Sequence, residues 1–249
     1  MDYLTPPEWV TRVDGIRLAV RRIAGKGPTL VFLPGYMSDM QGSKAVALEA
    51  WAIKHNRAIV RLDYSGCGES EGRFEDGTID IWRDDVLLII TLLLRGPVVL
   101  IGSSMGGWLA LLIARDLPSQ VVGLIGIASA PDFTDWGFSD EEKGRLVKYG
   151  RLERVCEYGP EPMVTTRAFW ESGKSNRLLQ GEIAINCPVR LIHGQHDPDV
   201  PWQISLDIAA NLRSSDVQAL LIKDGDHRLS RDRDIALIVR TVGALMEIL

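Results

Sequence analysis

Cysteine is scarce: Cys67, Cys156 and Cys187 are the only three in 249 residues, an odd number without CxxC spacing. That excludes a disulfide framework and a structural zinc site, and it suits a reducing compartment. Runs of lysine or arginine are also missing and the formal net charge is −5, so no phosphate-binding stripe for nucleic acid is expected. The longest apolar run in a helical-looking stretch, residues 86–94, ends at Arg95 and is about half the length a bilayer requires. It reads as a buried helix rather than an integral membrane segment. Residues 1–7 have neither the basic-then-apolar order of a secretory signal nor the Arg-rich character of a transit peptide. A cytoplasmic location is therefore expected, or the mitochondrial matrix if a targeting segment precedes them.

What is present is a composition of 46% hydrophobic and 24% charged residues, that of a globular domain long enough to bury a sizeable core. Alternation across residues 10–20, centred on Asp14-Gly15, predicts an opening antiparallel hairpin. Short runs rich in valine, isoleucine and leucine follow at 29–33, 58–62, 98–101, 121–128, 189–192 and 218–222. Such runs suit strands buried on both faces of a parallel sheet. Helical spacing fills the intervals 42–55, 78–94, 105–115, 204–212 and 234–249. This alternation predicts an α/β class with a mostly parallel sheet and helices on both faces, in a single domain over 1–249. Residues 131–187 break the rhythm, and their length and aromatic content predict a small helical cap insertion. Of its aromatics Phe133, Trp136, Phe138, Tyr149, Tyr158, Phe169 and Trp170, most should anchor the insertion, with two or three facing substrate.

Chemistry concentrates at Gly102-Ser103-Ser104-Met105-Gly106, a GxSxG between an apolar strand and a helix. In that context the serine occupies a strained turn, and glycines two residues either side are needed because a Cβ would collide as the chain reverses. Ser104 has that spacing; Ser103 does not, since Ile101 stands two residues before it. A serine hydroxyl needs a base within hydrogen-bond reach and a third group to orient that base. Four histidines are available. His55 closes a helix away from the elbow, and His193 reads as a structural residue at a strand end. His227 follows the last strand, and Asp197 lies in the loop after the preceding one, which satisfies the chain order Ser, Asp, His of an elbow nucleophile. Asp199 is an alternative acid that only loop geometry separates from Asp197.

Acyl transfer also calls for two backbone N–H donors aimed at the oxyanion. Met105, next after the nucleophile, supplies one, and Tyr36 after Leu33-Pro34-Gly35 supplies the other, its ring also a candidate lining for the acyl pocket. Cys67, set between glycines, reads as tight packing, and Asp63 as a residue that orders backbone amides. Arg228, with Arg231 and Arg233, either meets a substrate carboxylate or pairs with Asp224, Asp226, Asp232 or Asp234.

The stretches LPGY at 33–36, RLDYSGCGES at 61–70, GSSMGGW at 102–108, NCPVRLIHG at 186–194, VPW at 200–202 and DHR at 226–228 run nearly the whole chain. Together they resemble the α/β-hydrolases, and more closely the mitochondrial α/β-hydrolase-domain group of palmitoyl-protein thioesterase and acyl-glucuronide esterase activity. The resemblance implies an α/β-hydrolase fold, nucleophile Ser104, acid Asp197 and base His227. It also implies thioester or activated-ester substrates, small-molecule or acylated protein. The chemistry requires no metal or organic cofactor, and the residues assign no oligomeric state. The rival readings are a general carboxylesterase or lipase, a cofactor-free peptidase, and a hydrolase-like binding protein that has lost turnover. A haloalkane dehalogenase is excluded, because it needs an aspartate where Ser104 stands.

Overall fold

The computed structural model describes residues 6–155 and 162–249, so Cys156 and Tyr158 lie outside the described residues. The chain opens with an antiparallel hairpin of β1 (Glu8–Thr11) and β2 (Arg17–Ile23) about Asp14-Gly15. There follow β3 (Lys26–Leu33), α1 (Ser43–Lys54), β4 (Arg57–Leu62), α2 (Ile79–Leu93), β5 (Val98–Ser103), α3 (Met105–Asp116) and β6 (Val121–Ile127). Residues 131–187 then hold α4 (Phe133–Trp136), α5 (Asp140–Tyr149), β7 (Arg151–Arg154), β8 (Met163–Thr166) and α6 (Arg167–Ser175). The chain finishes with β9 (Val189–Gly194), α7 (Gln203–Asn211), β10 (Val217–Ile222) and α8 (Asp232–Glu247).

Eight strands form one sheet in the order β1-β2-β4-β3-β5-β6-β9-β10, parallel from β4 to β10 and antiparallel at the β1–β2 and β2–β4 pairs. The strand side chains alternate between two cores. Val31, Leu33, Val60, Leu62, Leu100 and Leu124 pack with α2, α3 and α7. Leu30, Phe32, Ile59, Val99, Ile101 and Ile125 pack with α1 and α8 on the other face. Because both faces are covered, the central strands are apolar apart from the buried Arg61 of β4 and Arg190 and His193 of β9, the pattern that marks them in the sequence. Helix α3 is buried from Met105 to Ala114, which explains why it too is apolar all round.

The insertion departs from expectation in one respect: besides helices it contains the antiparallel pair β7–β8. Four-residue strands reading RLER and MVTT are too short and too polar to display alternation. Its two ends are tied together by Asp132, whose carboxylate accepts from the N–H groups of Leu178 (2.8 Å) and Leu179 (2.9 Å).

The loop after β3 is clamped at Met40 from both sides. Its N–H donates to Asp63 Oδ1 (2.7 Å), and its carbonyl accepts from the Arg61 guanidinium, which is itself paired with Glu49 at 2.6 Å in full burial. Burial pushes the Asp63 carboxyl up to about 6, against the amides of Glu69 and Met40 that favour its charged form. Removing one partner of a buried ion pair leaves the other charge uncompensated. Glu49→Gln is therefore expected to lower unfolding free energy by about 3 kcal/mol in urea denaturation, and a loss below about 1 would mean the pair is dispensable.

Candidate active site

Sheet register brings five loops to one edge. Leu33 of β3 is level with Gly102 of β5, Gly102 with Gly126 of β6, and Gly194 of β9 with Ile222 of β10. The loops after these carboxyl ends converge above the sheet, where ligands of open parallel sheets bind.

Ser104 stands between β5 and α3 with φ 54° and ψ −118°, a left-handed conformation that costs a non-glycine residue roughly 1–3 kcal/mol. The turn is held by Ser104 N–H donating to the Ile127 carbonyl (2.8 Å) and by its own carbonyl accepting from Gly107 (2.9 Å) and Ala130 (3.1 Å). The flanking glycines are required as expected: a Cβ on Gly102 would stand 2.2 Å from the Gly106 oxygen, and one on Gly106 would stand 2.1 Å from the Leu33 oxygen. The serine is thus aimed off the sheet edge at the amino end of α3.

His227 reaches it from the loop after β10. Close contact between that loop and the one after β9 makes this possible: His196 N–H donates to the Gly225 carbonyl (2.9 Å), and a Cβ on Gly194 would meet the same oxygen at 2.2 Å. His227 Nε2 is 3.1 Å from Ser104 Oγ, and Nδ1 is 2.8 Å from Asp197 Oδ2. The carboxylate can only accept, so Nδ1 carries the hydrogen and the Nε2 lone pair faces the serine hydroxyl. The Asp197 side chain is fully buried, and its Oδ1 accepts from the N–H groups of Asp199 and Val200, both at 2.9 Å. Burial alone would raise this carboxyl, but hydrogen bonds from His193, then His227, outweigh it and hold Asp197 well below the usual carboxylate range. Asp197, rather than the exposed Asp199, therefore occupies the position against the His227 ring; Asp199 contributes its backbone amide to that carboxylate and lines the pocket.

Gly35 packs against the elbow, its would-be Cβ 3.3 Å from the Ser103 oxygen and 3.4 Å from Ser104 Cβ, which brings the loop after β3 alongside Ser104. The Tyr36 ring is tied into its surroundings. It sits among Phe74, Trp82, Phe133 and Phe169, at centroid distances of 4.9–6.0 Å, and its hydroxyl donates to the Val164 carbonyl on β8 (2.5 Å). Burial raises its phenol, keeping it a donor. The loop after β3 and the insertion are thereby one packed unit, a link that the LPGY sequence does not announce.

A cavity of about 590 Å³ opens beside Ser104 and His227. Its apolar lining comes largely from the insertion, with Phe133, Trp136, Phe138 and Met163, and its polar lining includes Ser38, Asp39, Lys44 and Arg228. Three of the insertion's aromatics thus face the cavity, while Phe169 and Trp170 are buried anchors and Tyr149 is exposed. Burial, and next the neighbouring Arg228, pull Lys44 down to about 8, with Asp226 opposing. Arg231 pairs with Asp234 (2.6 Å) and Asp224 (3.2 Å), and Arg233 also pairs with Asp224, as local charge pairing predicts; Arg228 turns to the pocket. Cys67 is buried and its thiol is pushed up to about 12, which suits packing and not nucleophilic chemistry. Among the described residues, the His, Asp and Glu atoms close enough to share a cation belong to Asp197, Asp199 and His227, and the first and last already hydrogen-bond each other.

A family model described as alpha/beta hydrolase family matches residues 30–241. The palmitoyl-protein thioesterase ABHD10, mitochondrial, of Homo sapiens is 39% identical over 247 residues, spanning 98% of this chain and 81% of that protein. Its Mus musculus counterpart is 40% identical over 243 residues, spanning 96% and 82%. The solved alpha/beta hydrolase domain-containing protein 10 from mouse superposes with a TM-score of 0.92 at 38% identity, covering 98% of this chain and 99% of that one. These relatives are named mitochondrial, which runs against the cytoplasmic expectation. Among the described residues no helix is long and apolar enough to cross a membrane. By sequence and by fold, the chain belongs to the alpha/beta hydrolase family and is a hydrolase.

Proposed function

We propose that the protein hydrolyses acyl thioesters, from small molecules or acylated proteins, through a Ser104–His227–Asp197 triad and an acyl-enzyme intermediate. The observation that carries this reading is the continuous hydrogen-bonded chain from a buried carboxylate through one imidazole to a serine in a strained elbow, at the wall of a half-apolar cavity. His227 Nε2 takes the Ser104 proton as Oγ attacks the acyl carbonyl. The carbonyl electrons move onto oxygen, where the backbone N–H groups of Tyr36 and Met105 stabilise them. Collapse expels the thiolate, which leaves protonated by His227. Water, deprotonated by the same imidazole, then attacks the acyl-enzyme and frees the acid. Asp197 holds the ring's tautomer and offsets the charge of the imidazolium throughout. The apolar lining contributed by the insertion, acting as a cap, takes the acyl chain, and the polar lining takes the leaving group.

Thioester preference is supported by the relatives' names, and the apolar lining supports an acyl chain as the group transferred. A panel of matched acyl thioesters and oxygen esters tests it, with kcat/KM expected at least about tenfold higher on the thioester of each pair. Equal values across the pairs would make the enzyme a general carboxylesterase instead.

A further inference from the structure

His193 ends β9 and does not line the cavity, yet its ring touches the carboxylate of the proposed triad. It is fully buried. Nε2 lies 3.1 Å from Asp197 Oδ2 and 3.1 Å from the Val200 carbonyl oxygen. Nδ1 lies 2.7 Å from the hydroxyl of Ser205, itself buried on α7. Both partners of Nε2 can only accept, so Nε2 carries the hydrogen and donates; in the neutral ring Nδ1 accepts from Ser205. Asp197 Oδ2 is consequently shared by two imidazoles, His193 from inside the protein and His227 from the pocket.

We propose that His193 is a positioning residue for the hydrolytic reaction: pinned by Ser205 and the Val200 carbonyl, it fixes the orientation of the Asp197 carboxylate and shares its negative charge with His227. The inference rests on the triad reading above. Without His193, the carboxylate would be held only by the two amides at Oδ1, and the charge on Oδ2 would fall on His227 alone. The imidazolium would then be favoured more strongly, and activity would be lost at a higher pH as the solution is acidified. The other groups around this pair stay in place: Ser104 and Asp199 face His227, while Asp226, Arg228 and Lys44 stand at its loop.

Two substitutions of similar polarity separate a positioning role from a packing role. The amide nitrogen of His193→Gln falls near the Nε2 position and keeps a donor for Asp197, whereas that of His193→Asn reaches only the Nδ1 position. With the full chain and a p-nitrophenyl acyl ester, His193→Asn is expected to lower kcat about tenfold with KM within about twofold, and to move the acid limb of the pH profile up by about 0.5–1 unit. His193→Gln is expected to retain kcat within about threefold, with the limb where the wild type has it. An unmoved limb in His193→Asn, or identical behaviour of the two variants, overturns the proposal, since a merely structural loss lowers the active fraction without moving the limb. If His193→Asn does not fold, Ser205→Ala carries the test. It frees Nδ1 and loosens the ring, so a smaller upward movement of the limb is expected, and a wild-type profile counts against the proposal. Wild-type protein that neither hydrolyses the ester nor takes up a fluorophosphonate at Ser104 would instead sink the triad reading, and the inference with it.

Discussion

Ser104→Ala is expected to lower kcat/KM on any acyl substrate by at least about 10⁴-fold while leaving the fold intact. The size follows from what the side chain does: without Oγ no acyl-enzyme forms, and the remaining backbone donors and bound water supply only a residue of the acceleration. The fold should tolerate the change because the turn is held by backbone groups, the Ser104 amide on Ile127 and its carbonyl on Gly107 and Ala130. Activity retained within tenfold, in protein freed of contaminating hydrolases, would remove Ser104 from the mechanism.

Asp197→Asn has the second-largest expected effect, about 10⁴-fold in kcat, with Asp199→Asn below about tenfold. An amide at Asp197 can turn its N–H₂ toward His227 Nδ1. That reverses the polarity of the 2.8 Å contact and forces the hydrogen onto Nε2, where no proton can be taken from serine. The same change leaves the His193 Nε2–H opposed by a weaker acceptor. Asp199 contributes its backbone N–H to Oδ1, which substitution preserves, and its side chain is exposed at the pocket wall. Comparable losses in both variants would mean that the loop after β9 rearranges during turnover and that the acid is not Asp197 alone.

The parts of this molecule that were legible from residue order are those where one strong requirement governs a short stretch. Strands β3, β4, β5, β6 and β9 are covered on both faces, so each appears as a short run rich in valine, isoleucine and leucine, interrupted by the buried Arg61 in β4 and by Arg190 and His193 in β9. The elbow announced itself through Gly102 and Gly106, because a Cβ on either would come within about 2.2 Å of backbone oxygen. His227 and Asp197 could be picked by chain order, and the choice against Asp199 waited on which carboxylate turned inward.

What stayed hidden depends on contacts between distant segments. Nothing in the order of residues ties Tyr36 to Val164, 128 positions away, or sets its ring among four others from three parts of the chain. The β7–β8 pair was missed because its pairing, not its composition, makes it a sheet. His193 resembled an ordinary core residue at a strand end; its link to Asp197 arises because the chain turns back over the strand within four residues, which no periodic pattern encodes.

The most direct test of the central claim is labelling of the purified full chain with a fluorophosphonate, followed by mass spectrometry to locate the adduct. Such probes react with a serine only when its hydroxyl is activated by a neighbouring base and the phosphoryl oxygen can be stabilised. The account predicts a single adduct on Ser104, lost in His227→Ala. Failure to label, or an adduct on another residue, would contradict it.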